Sequence, residues 1–166
     1  MAFKWYGILL NLALVALVFG GAAVYKYHFR SSERKSPVLM IRDSDSGKLY
    51  GKWPLENAEF SIEFIHSVNQ SPVREKFRVQ DKKIMPQETL FYSFGAGMQS
   101  DIEPGQIMSR DGDALIISGF DTAYTELNYI VGTVSDHILS IEGRLPMAIS
   151  LRELCGQNAH ITLYIK

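Results

Sequence analysis

The chain has 166 residues, of which 46% are hydrophobic, and a formal net charge of −1 at pH 7. This length suits one domain with a short appendage, and the hydrophobic share is sufficient for a core. The balanced charge, without a dense mixture of basic and aromatic residues, argues against nucleic-acid binding. The single cysteine, Cys155, excludes an internal disulfide and any zinc site built on paired cysteines.

The N-terminal segment Trp5–Tyr25 carries no charged side chain, and its only strongly polar side chain is Asn11. A helix of about 20 residues spans the hydrocarbon core of a bilayer, which is about 30 Å thick. Aromatic residues at both ends of the segment are typical of membrane interfaces. The sequence therefore predicts one transmembrane anchor within residues 1–30. A signal peptide is the alternative, because Gly21–Ala23 offers small residues for cleavage.

Charges beside this segment bear on the orientation of the anchor. Lys4 precedes it, whereas four basic residues follow it with a single acid, Glu33; the four are Lys26, Arg30, Arg34 and Lys35. Positively charged flanks tend to remain in the cytoplasm, so this bias alone would place the large domain there.

Residues 31–37 are short and polar and are predicted to be a linker, and residues 38–166 follow a period-two pattern. Short strands between turn residues indicate a mainly β fold, a single antiparallel β-sandwich or barrel-like domain. Pro146–Cys155 is either helical or a strand followed by a turn. The predicted strands are Val38–Arg42, Lys48–Trp53, Glu59–His66, Val73–Val79, Thr89–Phe94, Ala114–Ser118, Tyr129–Thr133, His137–Ile141 and Ala159–Ile165.

Two polar residues occupy apolar positions of the stretch FSIEFIHSVNQSPVREKFRV. His66 continues the apolar series of one strand, and Glu75 stands within the apolar series of the next. If the strands form a hairpin around Ser67–Pro72, both side chains share one face and could be diagonal neighbours. Because an isolated buried carboxylate is costly, His66 is the predicted partner of Glu75. Such a pair could be structural, ligand-binding or catalytic.

Two further residues extend this candidate cluster. His137 heads the apolar series of DHILSIEG, and Glu88 precedes the apolar segment TLFYSF. Two histidines and two glutamates could supply a metal site, although their spacing matches no short metal motif. No cofactor is predicted, and no convincing nucleophile–base arrangement is present.

The stretches IHSVNQSPVREKFRV and ETLFYSFGAGM together resemble the prokaryotic family known as domain of unknown function 1850 (DUF1850). DHILSIEG resembles the histidine-containing C-terminal segment of that family. The resemblance covers roughly Phe60 to the C-terminus. The residues that carry it and that form the candidate site are His66, Ser67, Glu75, Glu88 and His137, with a loop surface at Ser93, Phe94, Gly95, Ala96 and Gly97.

The resemblance implies a membrane-anchored, β-rich accessory protein associated with TAXI-type TRAP transporters, which take up organic acids. The expected partner is the permease or the TAXI substrate-binding protein, and the expected location is the extracytoplasmic face of the cytoplasmic membrane. The expected function is non-enzymatic binding of a partner or a small anionic solute. A metal-binding or hydrolytic domain is the alternative, and an envelope interaction domain unrelated to transport is a third.

Overall fold

A computed structural model describes residues 36–94, 101–133 and 135–166. These lie in Ser36–Lys166, the second of two units into which the chain divides. The predicted anchor lies outside the described residues. Within those residues, no helix has the length and apolar character to cross a membrane. The elements are β1 Val38–Asp43, β2 Leu49–Pro54, β3 Glu59–Ile65, β4 Pro72–Gln80, β5 Lys83–Phe91, β6 Ile107–Asp111, β7 Ala114–Ser118, β8 Glu126–Ile130, β9 His137–Ile141, β10 Met147–Ser150, α1 Leu151–Cys155 and β11 His160–Ile165.

The strands form two antiparallel sheets. The smaller sheet has the order β2-β1-β11-β8, and the larger has the order β10-β9-β3-β4-β5-β7-β6. Neither sheet closes into a barrel within the described part of the chain. The predicted mainly β, antiparallel fold is therefore confirmed.

Alternation along the strands gives each sheet one apolar face. In β3, Phe60 and Ile62 are buried while Ser61 and Glu63 between them are more exposed. In β4, Val73, Phe77 and Val79 are buried, and the residues between them include two exposed arginines. Because successive side chains of a strand point to opposite faces, this pattern fixes which side of each sheet meets the core.

The main core lies between the two sheets. Its buried side chains come from both of them, so the sheets pack face to face. Removing this apolar surface from water supplies most of the favourable free energy of folding, at about 25 cal/mol per Å². The smaller sheet contributes Leu39, Ile41, Ile161, Leu163 and Ile165, and the larger contributes Phe60, Ile62, Phe77, Val79, Ile84, Leu139 and Ile141.

A second, smaller core lies on the β4, β5 and β7 part of the larger sheet. It consists of Val73, Phe91, Leu115 and Ile117, against which Phe64, Met108 and Phe120 pack. The segment 119–125 is joined to β5 by two hydrogen bonds of 2.8 Å between the backbones of Ile84 and Tyr124. This segment brings Phe120 and Tyr124 towards the inner face of the larger sheet.

Most predicted strands coincide with observed ones, and the exceptions have identifiable causes. β5 begins at Lys83 rather than Thr89 because Pro86 lies beside a bulge, where proline is tolerated within a sheet. β6 was not predicted, and β10 was predicted only as one of the two alternatives for Pro146–Cys155. Both are edge strands with largely exposed side chains, so they lack the alternation that marks a buried face. β8 starts three residues before its predicted position.

Both alternatives for Pro146–Cys155 are partly correct. The segment contains strand β10 and then the short helix α1. Ser150 ends the strand and begins the helix, because its Oγ accepts the Glu153 N–H at 3.0 Å. The Asp136 carboxylate accepts the Arg152 N–H at 3.0 Å and the Ser150 hydroxyl at 2.5 Å, which satisfies a further donor at the helix start.

Candidate ligand-binding site

A cavity of about 490 Å³ lies on the inner face of the larger sheet, where β8 of the smaller sheet and the segment 119–125 approach it. Most of its wall is aromatic or aliphatic, and a few polar groups interrupt it. The lining residues are Phe64, His66, Val73, Glu75, Lys76, Phe77, Pro86, Glu88, Thr89, Phe91, Ile117, Phe120, Tyr124, Leu127 and Tyr129. This is the size and composition of a small-molecule site, for which about 300–1,000 Å³ is typical.

Glu75 and Tyr129 form the polar centre of this cavity. Glu75 lies on the inner face of β4, and Tyr129 lies on β8 of the other sheet. The Tyr129 hydroxyl donates a hydrogen bond of 2.7 Å to Oε2 of Glu75. This contact joins the two sheets and satisfies one oxygen of a half-buried carboxyl group.

Burial controls the protonation of both groups. Burial raises the pKa of Glu75 above its usual value, and the hydrogen bond from Tyr129 partly opposes this rise. Burial, followed by the charge of Glu75, raises the pKa of Tyr129 well above its usual value. The phenol therefore keeps its proton at neutral pH and remains the donor, while Glu75 holds its proton to a higher pH than an exposed glutamate.

His137 packs against two residues of the cavity wall, Phe64 and Tyr129, without lining the cavity itself. Its ring stacks on Phe64 with centroids 4.9 Å apart and meets Tyr129 edge-on at 6.0 Å. Its Nδ1 accepts the Gly132 N–H at 3.3 Å. A Cβ at Gly132 would lie 2.5 Å from the Ser135 carbonyl oxygen, so this close approach requires glycine.

The surroundings of His137 favour its neutral form. Burial lowers its pKa most; Asp136 opposes this effect and Arg152 adds to it. A neutral ring whose Nδ1 accepts a hydrogen bond carries its proton on Nε2. His137 is therefore a packed, neutral member of the wall rather than part of the cavity lining.

His66 lies just after β3 and stabilises the loop that follows. Its Nδ1 accepts the N–H groups of Val68 and Asn69, both at 3.3 Å. Its backbone N–H donates to Ser71 O at 2.9 Å, and its carbonyl accepts the Gln70 N–H at 2.9 Å. The imidazole thus supplies an acceptor for two N–H groups of the loop, and His66 is one of the residues that line the cavity.

The predicted contact between His66 and Glu75 is wrong. The β3–β4 hairpin pairs Ile62 with Glu75 and Phe64 with Val73. Glu75 therefore lies four positions along β4 from Ser71, the residue opposite His66, which is roughly 13 Å at about 3.3 Å per residue. Both residues line the same cavity, but the hydrogen-bond partner of Glu75 is Tyr129.

Glu88 borders the same cavity as Glu75, but its side chain does not point to the inner face. The register pairs Glu88 with Lys76 and pairs Thr89 with Glu75, so alternation turns the Glu88 side chain to the outer face. There it borders a smaller cavity of about 220 Å³, whose lining also includes Glu59 and Glu142.

The predicted convergence of two histidines and two glutamates is therefore wrong as well. Within residues 36–94, 101–133 and 135–166, no group of three or more His, Cys, Asp or Glu side chains could hold a metal ion. His66, Glu75 and Glu88 border one cavity and His137 packs behind its wall, but the Glu88 side chain points to the outer face and the Nδ1 atoms of both histidines accept backbone N–H groups, which gives no support to a shared active site.

The loop after β3 and the segment after β5 meet at one end of the larger sheet. Asn69 Nδ2 donates to Ser93 O at 3.3 Å, and the hydroxyls of Ser71 and Ser93 lie 3.5 Å apart. Ser67 is exposed, and its carbonyl accepts the Gln70 amide at 2.6 Å. Phe94 is 49% exposed, although its ring meets Phe91 edge-on at 5.5 Å. The remaining predicted loop residues, Gly95, Ala96 and Gly97, lie outside the described residues.

Sequence analysis did not identify Tyr129, Phe120 or Tyr124 as site residues. Tyr129 had a partial signal, because Leu127 and Tyr129 alternate with the polar residues Glu126 and Asn128. Phe120 and Tyr124 belong to a connecting segment without periodicity, so only the tertiary structure reveals their position.

The raised pKa of Glu75 predicts how stability varies with pH. Because the folded protein holds this proton to a higher pH than the unfolded chain, its free energy of unfolding falls as pH rises from about 4.5 through the folded pKa. Glu75→Gln removes this fall. We expect the difference in Tm between Glu75→Gln and wild type to grow between pH 5 and pH 8, as measured by thermal unfolding of the full chain.

Glu63→Gln is the matched control for this measurement. Glu63 lies on the outer face of β3 and pairs with Arg74 at 2.7 Å, with both side chains largely exposed. Exposed ion pairs contribute about 0–1 kcal/mol, so this variant should follow the wild-type pH profile. If the Tm of Glu75→Gln also changes with pH in parallel with the Tm of wild type, the proposed burial of the Glu75 proton is incorrect.

Comparison with known proteins agrees with the resemblance that the motifs indicate. The sequence profile of the family described as Domain of unknown function (DUF1850) matches residues 60–147, which is more than half of the chain. This range includes Glu75, Tyr129 and both histidines discussed above. No match was found among the curated proteins or among the solved structures. The chain therefore belongs to the DUF1850 family.

Proposed function

We propose that this protein is a non-enzymatic binding module that takes a small, largely apolar molecule into the cavity between its sheets. We propose further that it acts as a membrane-anchored accessory component of a TAXI-type TRAP uptake system, with its β-domain outside the cytoplasm. The observation that carries the binding role is the cavity of about 490 Å³ with an aromatic wall and one carboxyl–phenol pair.

The composition of the cavity supports binding rather than catalysis. Small-molecule sites combine apolar walls with a few polar groups that orient the ligand, and Glu75, Tyr129 and Thr89 meet that description. General base catalysis needs a base within hydrogen-bond reach of the group it activates. The Nδ1 atoms of both His66 and His137 instead accept backbone N–H groups.

The accessory role is supported by family membership and by the predicted anchor at Trp5–Tyr25. An anchor confines a domain to the membrane surface and raises its effective concentration near a permease or a substrate-binding protein. The loop after β3 and the segment after β5 carry exposed apolar side chains that suit contact with such a partner. Val68 is 64% exposed and Phe94 is 49% exposed.

The binding role is tested with 2-phenylethanol, a neutral probe with one ring and one hydroxyl. Saturation-transfer NMR on the purified full chain in detergent should detect the bound probe, and a cavity-filled variant should lose the signal. Equal signals from both proteins would mean that the probe resides only in the detergent or on the surface, which would contradict the proposed cavity function.

The accessory role is tested by co-purification from native membranes in a mild detergent. We expect the tagged full chain to recover a TRAP permease or a TAXI substrate-binding protein, identified by mass spectrometry. A permease tagged in the same strain should recover this protein in return. Recovery of neither partner in either direction would contradict the transport association while leaving the cavity function to the NMR test.

A further inference from the structure

We infer that the cavity selects an organic cation, namely a protonated or quaternary amine carried on an aromatic or branched apolar body. The inference rests on the proposed function, because it assigns a ligand class to the same cavity. It follows from the inward carboxyl group of Glu75 in an aromatic-lined cavity and from the outward direction of Lys76, the one Lys or Arg among the described lining residues.

The carboxyl group of Glu75 has an unused acceptor. Oε2 accepts the Tyr129 hydroxyl at 2.7 Å, whereas no described residue donates a hydrogen bond to Oε1. A half-buried carboxylate without a full set of partners is costly, and an ammonium ion that donates to it would offset that cost. The geometry thus leaves one oxygen for a ligand donor.

Aromatic residues line the cavity that contains this carboxyl group. Phe77 follows Glu75 on the same face of β4, Tyr129 contacts it from β8, and Phe64, Phe91, Phe120 and Tyr124 complete the wall. Ring faces attract cations by about 0.5–2 kcal/mol each, more strongly where water is excluded. An ammonium group beside Glu75 therefore has a counter-charge and aromatic residues within the same cavity.

A carboxylate ligand finds no inward Lys or Arg side chain among the described lining residues. Lys76 is adjacent to Glu75, but alternation turns it outwards, and its Nζ lies 3.8 Å from a carboxylate oxygen of Glu59. The imidazole Nδ1 of His66 is occupied by its own loop. An anionic solute in this cavity would face Glu75 with no inward Lys or Arg side chain among the described residues to offset the repulsion, so the cavity suits a cation better than the organic acids that the resemblance implies.

Three probes with the same phenylethyl body separate the ligand classes. These are 2-phenylethylamine as cation, 2-phenylethanol as neutral isostere and 3-phenylpropionate as anion, titrated calorimetrically against the full chain in detergent at pH 7.5. We expect the amine to bind at least tenfold more tightly than either of the others. Glu75→Gln should remove this preference, while Glu63→Gln on the outer face of β3 should retain it.

The outcomes distinguish this inference from the function on which it rests. Equal or tighter binding of the alcohol or the acid, or an amine preference that survives in Glu75→Gln, would overturn the cation assignment and leave the cavity as a binding site. Because the comparison among probes uses wild-type protein, it does not depend on the folding of a variant. If none of the three probes binds to wild type, the cavity function fails and the cation assignment fails with it.

Discussion

Leu139→Ala is expected to lower the free energy of unfolding by about 2–5 kcal/mol. Leu139 is 0% exposed, lies on β9 and is paired with Ile62 on β3 and Ile149 on β10. It belongs to the core that both sheets share. Truncation removes apolar contacts and leaves a void, because the surrounding strands are held by their hydrogen bonds and cannot collapse fully. Urea unfolding of the full chain, followed by tryptophan fluorescence, measures the effect.

Leu145→Ala provides a control with the same chemical change. Leu145 is 83% exposed and lies between β9 and β10. Its truncation should alter the free energy of unfolding by less than about 0.5 kcal/mol. If the two variants lose similar stability, Leu139 is not packed between the sheets as described, and the two-sheet core would need revision.

The period-two pattern predicted the fold wherever one face of a strand is buried. β7 and β9 coincide with their predicted bounds because each combines a short apolar series with clear turn residues. β6 was missed, and β10 was only one of two alternatives for its segment, because their side chains largely face water and leave little alternation to detect. The pattern is therefore clearest for strands that bury one face, and weakest for strands such as β6 that are mostly exposed.

The candidate site was only partly predictable for a related reason. Alternation correctly placed Glu75 on the inner face of β4, and it placed His66 at the same cavity. The pairing of these two residues failed because their register depends on how the intervening loop closes, and His66 itself closes that loop. The true partner, Tyr129, lies on the other sheet, and no local pattern connects β8 with β4.

The difference in size between the two sheets explains why a cavity exists. The four-stranded sheet covers the main core, and the β4, β5 and β7 part of the larger sheet has its own smaller apolar cluster. The segment 119–125 covers part of this region through Phe120 and is fixed to β5 at Ile84. The space that remains between β8 and this segment is the cavity.

Thr89→Trp is expected to weaken binding of the neutral probe 2-phenylethanol at least tenfold. Thr89 lies opposite Glu75 on the inner face of β5 and lines the cavity. An indole ring at this position occupies the space between the sheets that the probe would take. Adding bulk to a filled core costs about 1–3 kcal/mol, but here an existing cavity of about 490 Å³ accepts the ring. Stability should therefore change little while the saturation-transfer signal disappears.

Leu90→Trp is the control, because Leu90 is the next residue of the same strand and alternation turns it to the outer face. This variant should bind the probe as wild type does, which separates an effect on the cavity from an effect on β5 as a whole. Undiminished binding in Thr89→Trp would mean that the probe occupies another site. Loss of binding in both variants would mean that the substitutions disturb strand β5 as a whole, rather than filling the cavity. Only selective loss in Thr89→Trp supports a ligand held between the two sheets beside Glu75.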